Sequence, residues 1–161
     1  MPVIIFSRPI RTGKTTELLA WCRHLENLQG IAMPDTPEGR KIQDLSSGEL
    51  FDAQCTATTE EKLIHIGPFS FYASAFERAN QLLINAAAGM PDYLVIDEVG
   101  KLELLGQGFY PAVKSALEQY KRVDHPAKKL LLVVREPLLQ QVCDFFAIKN
   151  PVIVHALQDI H

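Results

Sequence analysis

Short unbroken apolar runs alternate along the chain with segments that are apolar on one helical face only. Val3-Ile4-Ile5-Phe6, Tyr93-Leu94-Val95-Ile96, Leu130 to Val134 and Val152-Ile153-Val154 are apolar at every position. That is the signature of parallel strands buried on both faces. Between the runs the period changes. Thr15, Leu18, Leu19, Cys22 and Leu25 recur at helical spacing, and Gly30 stands as the expected helix end. Ser74-Ala75-Phe76-Glu77 has the spacing of a capping box, and Phe76, Ala79, Leu83, Ala86 and Ala87 continue it as one apolar face that ends near Gly89. Pro111 opens a helix with Val113, Ala116, Leu117 and Tyr120 on its face, and Pro137 opens another with Leu138, Leu139, Val142 and Phe146.

The middle of the chain is patterned less clearly. Gly30 to Met33 reads as a short strand, residues 39–55 as a hairpin-like excursion turning at Ser46-Ser47-Gly48, and Leu63 to Ile66 as a further strand before Gly67-Pro68. Strands alternating with helices predict an α/β fold: a mostly parallel central sheet with helices on both faces. Residues 1–161 are expected to form one domain, with 34–62 as a hairpin excursion that either closes over a ligand as a lid or decorates the sheet edge. Sheets of this kind bind ligands beyond the carboxyl ends of their strands. Arg8 to Lys14, Asp97-Glu98 and Arg135 each follow a strand, so they are expected to converge on one edge.

Composition narrows the function by exclusion. The formal net charge of −3 over 161 residues offers no positive field for nucleic acid or an acidic membrane, and no apolar run has the length of a membrane span. Cys22, Cys55 and Cys143 form no C-x-x-C pair, and the histidines are scattered, so no zinc site or disulfide framework is expected. The opening MPVIIFS lacks a basic leader and is too short for a signal h-region. A cytoplasmic protein is the expectation; the residues leave its oligomeric state open, with a monomer favoured over an oligomer.

The chemistry sits in FSRPIRTGKTTELL, Phe6 to Leu19. A strand, then Gly13-Lys14-Thr15, then a helix is the setting of a phosphate-binding loop. Free N–H groups and the helix dipole at the helix start favour an anion. Arg11, Thr12, Gly13, Lys14, Thr15 and Thr16 are the expected triphosphate-binding stretch, with Lys14 also supplying charge to the β- and γ-phosphates. The Thr15 hydroxyl is a candidate Mg²⁺ ligand. Asp97, at the end of a buried strand, is the second candidate ligand, and alternation along the strand turns Glu98 the other way, toward an attacking water. The alternative is an acidic pair that solvates a strand end.

The run VIDEVGKLEL, Val95 to Leu104, resembles the DEIGKMEL-type motif of the THEP1 family of small nucleoside-triphosphatases. RTGKTTELL and IGPFSFYASAFERAN, Ile66 to Asn80, are similar to segments of that family in the same order. The resemblance covers most of the chain and is weakest over 34–62. It implies a three-layer P-loop NTPase fold and Mg²⁺-dependent hydrolysis of ATP, GTP and other nucleoside triphosphates with broad base tolerance. By position it implies Lys14 and Thr15 as the Walker A lysine and hydroxyl, Asp97 as the Walker B acid and Glu98 as the water-activating acid. Lys101 and Glu103 match motif positions whose role the residues alone do not assign.

The loop departs from that family. Arg8 stands where the first motif glycine belongs, and Arg11 where a second is frequent. A residue with a Cβ forced to positive φ there would be strained by roughly 1–2 kcal/mol, while a guanidinium would offer a fork to phosphate. Two further readings therefore stay open: a degenerate loop that binds a nucleotide or other phosphorylated ligand with little turnover, and a small-molecule kinase. Arg135, after its strand, is either a cis arginine for the γ-phosphate or a surface residue.

Overall fold

The computed structural model describes residues 3–9, 12–123 and 125–161. In chain order the elements are β1 (Val3–Arg8), α1 (Lys14–Cys22), β2 (Leu28–Ala32), β3 (Asp35–Thr36), β4 (Gly39–Asp44) and β5 (Leu50–Asp52). Then come β6 (Leu63–Ile66), β7 (Phe69–Tyr72), α2 (Ala73–Ala88), β8 (Tyr93–Ile96), α3 (Lys101–Leu104), α4 (Tyr110–Lys121), β9 (Lys129–Arg135), α5 (Leu139–Phe145) and β10 (Val152–Val154).

The main sheet runs β10-β1-β9-β8-β2-β4-β3, with β5 also paired to β4. From β10 to β2 every pairing is parallel. Beyond β2 the sheet continues antiparallel through β4, β3 and β5. Alternate residues of the parallel strands feed two cores. Val3, Ile5, Leu94, Ile96, Leu130 and Leu132 pack under α2, α4 and α5. Ile4, Phe6, Val95, Leu131 and Val133 pack under α1, whose Leu18 is fully buried. Burial on both faces is why β1, β8 and β9 have apolar cores, while β10, at the sheet edge, leaves Val152 and Ile153 exposed against the expectation of a buried strand. A nine-residue helix is marginal alone, so α1 is held by its contacts with this second core.

The expected parallel sheet with helices on both faces is present, and so is the hairpin turning at Ser46-Ser47-Gly48, as β4 and β5. Three further local expectations are corrected. The helix after Lys14 ends at Cys22, and Gly30 lies inside β2 at φ +134°. A Cβ on Gly30 would overlap the backbone of Val95, so this glycine permits β2 to approach β8. Ser74 does not cap α2, which starts at Ala73 from an extended Tyr72 with no side-chain cap. The helix after Pro137 begins as a 3₁₀ turn, Glu136–Leu138. Among the described residues no helix is long and apolar enough to cross a membrane.

Candidate functional site

The carboxyl ends of β1, β8 and β9 carry the residues in question, with β9 lying between the other two strands. β1 leads through the loop to Gly13, which caps α1 at φ 75°, ψ 25°. Nothing lies within 4 Å of the place where its Cβ would be, so glycine is required by the left-handed backbone and not by crowding. α1 then starts at Lys14 and projects Thr15 from its first turn.

The Thr15 Oγ1 hydroxyl donates to Asp97 Oδ2 at 2.9 Å, and the same oxygen accepts the Met33 backbone N–H at 2.9 Å. Asp97 is 1% exposed. Burial pushes its carboxyl above the usual aspartate range, opposed by the Met33 N–H, the Thr15 hydroxyl and the charges of Arg40 and Lys14. A hydroxyl and a carboxylate are hard oxygen donors, a set that suits Mg²⁺ completed by phosphate and water. Among the described residues no group of three or more His, Cys, Asp or Glu side chains forms a metal cage. The pair therefore fits a cation that arrives with its phosphates.

Lys14 Nζ donates to the Pro9 carbonyl at 3.0 Å and lies 3.5 Å from that of Arg8. Its pKa is lowered by burial first, then by Arg135, Arg8 and Arg40, while Asp97 raises it. Four cationic side chains and Asp97 thus share one electrostatic neighbourhood, a setting that favours a polyanion.

Glu98 follows at φ 71°, left-handed for a residue with a Cβ. The Asp97 N–H donates to Ile31 O of β2, whereas the Val99 N–H donates to Val133 O of β9. The chain changes neighbours across Glu98, and the left-handed turn, not strand alternation, sets its direction. Such a conformation stores about 1–3 kcal/mol and recurs at functional sites. Glu98 Oε1 accepts from Arg135 Nη2 at 2.7 Å, and Oε2 is ion-paired with Arg40 Nη1.

The strain expected at Arg8 is absent. Arg8 is the last residue of β1, registered beside Arg135 of β9, and is not among the residues at positive φ. Its guanidinium donates to Thr12 O at 3.2 Å, pairs with Glu17 of α1 at 3.1 Å and lies over the Phe6 ring. It therefore ties the loop to the helix. Arg11 lies outside the described residues. Thr12 Oγ1 donates to Pro9 O at 2.9 Å, and Thr16 follows Thr15 in the first turn of α1.

A family model described as NTPase matches residues 3–152. The chain belongs to the THEP1-like P-loop NTPase family. The crystal structure of THEP1 from the hyperthermophile Aquifex aeolicus superposes with a TM-score of 0.65, covering 99% of this chain and 92% of that one at 16% identity. At that identity the likeness shows the fold. Among curated proteins none matches.

Within this THEP1-like frame two residues acquire places that motif reading did not give them. Arg40, on the antiparallel extension, reaches Glu98. Glu103, 3% exposed, accepts the Gly100 N–H at 2.7 Å and the Phe109 N–H at 2.9 Å, and so shapes the segment after β8. Gly108 sits at φ +61° directly against that carboxylate, where a Cβ would collide with it. Two glycines around Gln107 were the available signal for a tight loop. Lys101 is exposed.

Proposed function

We propose that the chain hydrolyses nucleoside triphosphates to diphosphate and phosphate, with Mg²⁺ and little selectivity for the base. The Thr15–Asp97 hydrogen bond carries this reading, because it brings a hydroxyl at the head of α1 to an acid beyond β8. Thr15 and Asp97 would hold Mg²⁺, which would supply positive charge to offset the charge that develops on the phosphate. Arg11, Thr12, Gly13, Lys14, Thr15 and Thr16 form the phosphate-binding stretch, in which the free backbone N–H groups at the start of α1 would receive the anion. Lys14 exchanges its loop carbonyls for phosphate oxygens, a charge-assisted contact that is stronger. Glu98 orients the attacking water and takes its proton.

Its rival is a nucleotide-binding protein with little turnover. The observation in its favour is that both Glu98 oxygens are engaged by arginines. Phosphate release from ATP and GTP, followed with Mg²⁺ and with chelator, separates the two. Mg²⁺-dependent release that Glu98→Gln abolishes supports hydrolysis. Nucleotide binding without release supports the rival. Absence of binding removes both.

A further inference from the structure

Arg40 and Arg135 come from opposite sides of β8. Arg135 ends β9, and Arg40 lies on β4, beyond β2. Each guanidinium engages one oxygen of Glu98, and among the described residues neither has a second ion pair. The two cations are close enough that Arg135, after burial, is the largest influence disfavouring charge on Arg40. Two like charges therefore share a single carboxylate beside Lys14 and Asp97. Among the described residues Asp35 and Asp97 favour the charge on Arg40 without an ion pair to it, so the two guanidiniums have one paired carboxylate between them, and they lie next to the proposed phosphate site. A terminal phosphate carries more charge than a carboxylate and has three acceptor oxygens, so it competes well for a guanidinium fork.

We propose that Arg40 reads the terminal phosphate: it holds Glu98 while the site is empty, and transfers to the γ-phosphate of a bound nucleoside triphosphate, leaving Glu98 Oε2 to receive the water. The inference rests on the nucleotide site proposed above. It makes the antiparallel extension part of the site and not a decoration. A diphosphate, one phosphate short, would then leave Glu98 occupied. Arg40 then discriminates substrate from product, and Arg135 remains beside Glu98 as its second support.

Calorimetry with Mg²⁺–ADP and a non-hydrolysable Mg²⁺–β,γ-imido-ATP tests this on the parent, Arg40→Gln, Glu98→Gln and the double variant. Arg40→Gln should weaken the triphosphate analogue about tenfold or more and ADP by less than about twofold. Glu98→Gln removes the competitor, so it should tighten the analogue several-fold without changing ADP. That gain should vanish in the double variant, since the two residues then have no exchange to make. A purely structural Arg40 would move both ligands alike, and that result overturns the inference while the nucleotide site stands. A Glu98→Gln gain that survives in the double variant also overturns it. A parent that binds neither ligand removes the site itself. Should Arg40→Gln fail to fold, Arg40→Lys keeps the charge without the fork and should still lose selectivity for the analogue over ADP. Unchanged selectivity in that variant overturns the inference as well.

Discussion

The Thr15 hydroxyl meets the Asp97 carboxylate at 2.9 Å across 82 positions of sequence. The contact fixes the head of α1 against the end of β8. Because the same Asp97 oxygen accepts the Met33 N–H, it also reaches β2's exit. An Asp97→Asn change keeps an acceptor for both donors but removes the charge. Nucleotide affinity measured with Mg²⁺ should fall by about tenfold or more, whereas affinity with chelator should barely change. Equal losses in the two conditions would mean that the pair serves the fold alone.

Lys14 rests on carbonyls of its own loop, at Pro9 and Arg8. Those contacts are local and partly solvated, so removing them should disturb the fold little. Loss of a charge-assisted phosphate contact, however, costs about 1.5–3 kcal/mol. Lys14→Ala should therefore raise the Kd for Mg²⁺–ATP by roughly 10–100-fold at nearly unchanged melting temperature. A large drop in melting temperature with unaltered affinity would show the lysine to be a loop brace.

How far the sequence discloses this molecule depends on what sets each feature. β1, β8 and β9 are legible because burial on both faces demands apolar residues along their length, whereas the same pattern in β10 marks an edge strand whose Val152 and Ile153 are exposed. Gly30 misleads because the same residue type ends helices and permits close strand approach, and only the neighbour, Val95, decides between them. Thr15 and Asp97 are legible since each follows a strand within a short motif. Arg40 is not. β4 has one buried residue, Ile42, so its register comes from pairing with β2 and not from its own pattern. The engagement of Glu98 by Arg40 depends on that pairing and on a left-handed turn that no local signal announces.

Arg8 gives a prediction opposite to the one its motif position suggests. It is extended, and its side chain joins Thr12 and Glu17. Replacing it with glycine relieves no positive φ. It should instead release the loop from α1 and loosen the end of β1. The ion pair is a quarter to a third exposed, so its share is at most about 1 kcal/mol. Glycine in a strand adds about 0.5–1 kcal/mol of backbone entropy. Arg8→Gly should lose about 1 kcal/mol in urea unfolding and show no gain in turnover. A faster enzyme would mean that the arginine obstructs the loop.

Glu103 is buried at the turn after β8, and burial pushes its carboxyl from 4.5 up to about 7 despite the Gly100 and Phe109 N–H bonds. A folded value above the unfolded one means that the folded chain holds the proton more tightly. The contribution is fully present below pH 4.5 and is lost as pH rises through about 7. Its full size is about 3 kcal/mol, from a shift of that width. Glu103→Gln does not titrate. Its amide leaves one backbone N–H facing another donor, a penalty of about 1–3 kcal/mol that does not vary with pH. The parent should thus be the more stable form at pH 5, and its advantage should shrink or reverse by pH 8. Urea unfolding of both proteins at the two pH values measures this. An advantage that grows with pH would show that the two N–H bonds outweigh burial and hold Glu103 as a carboxylate throughout.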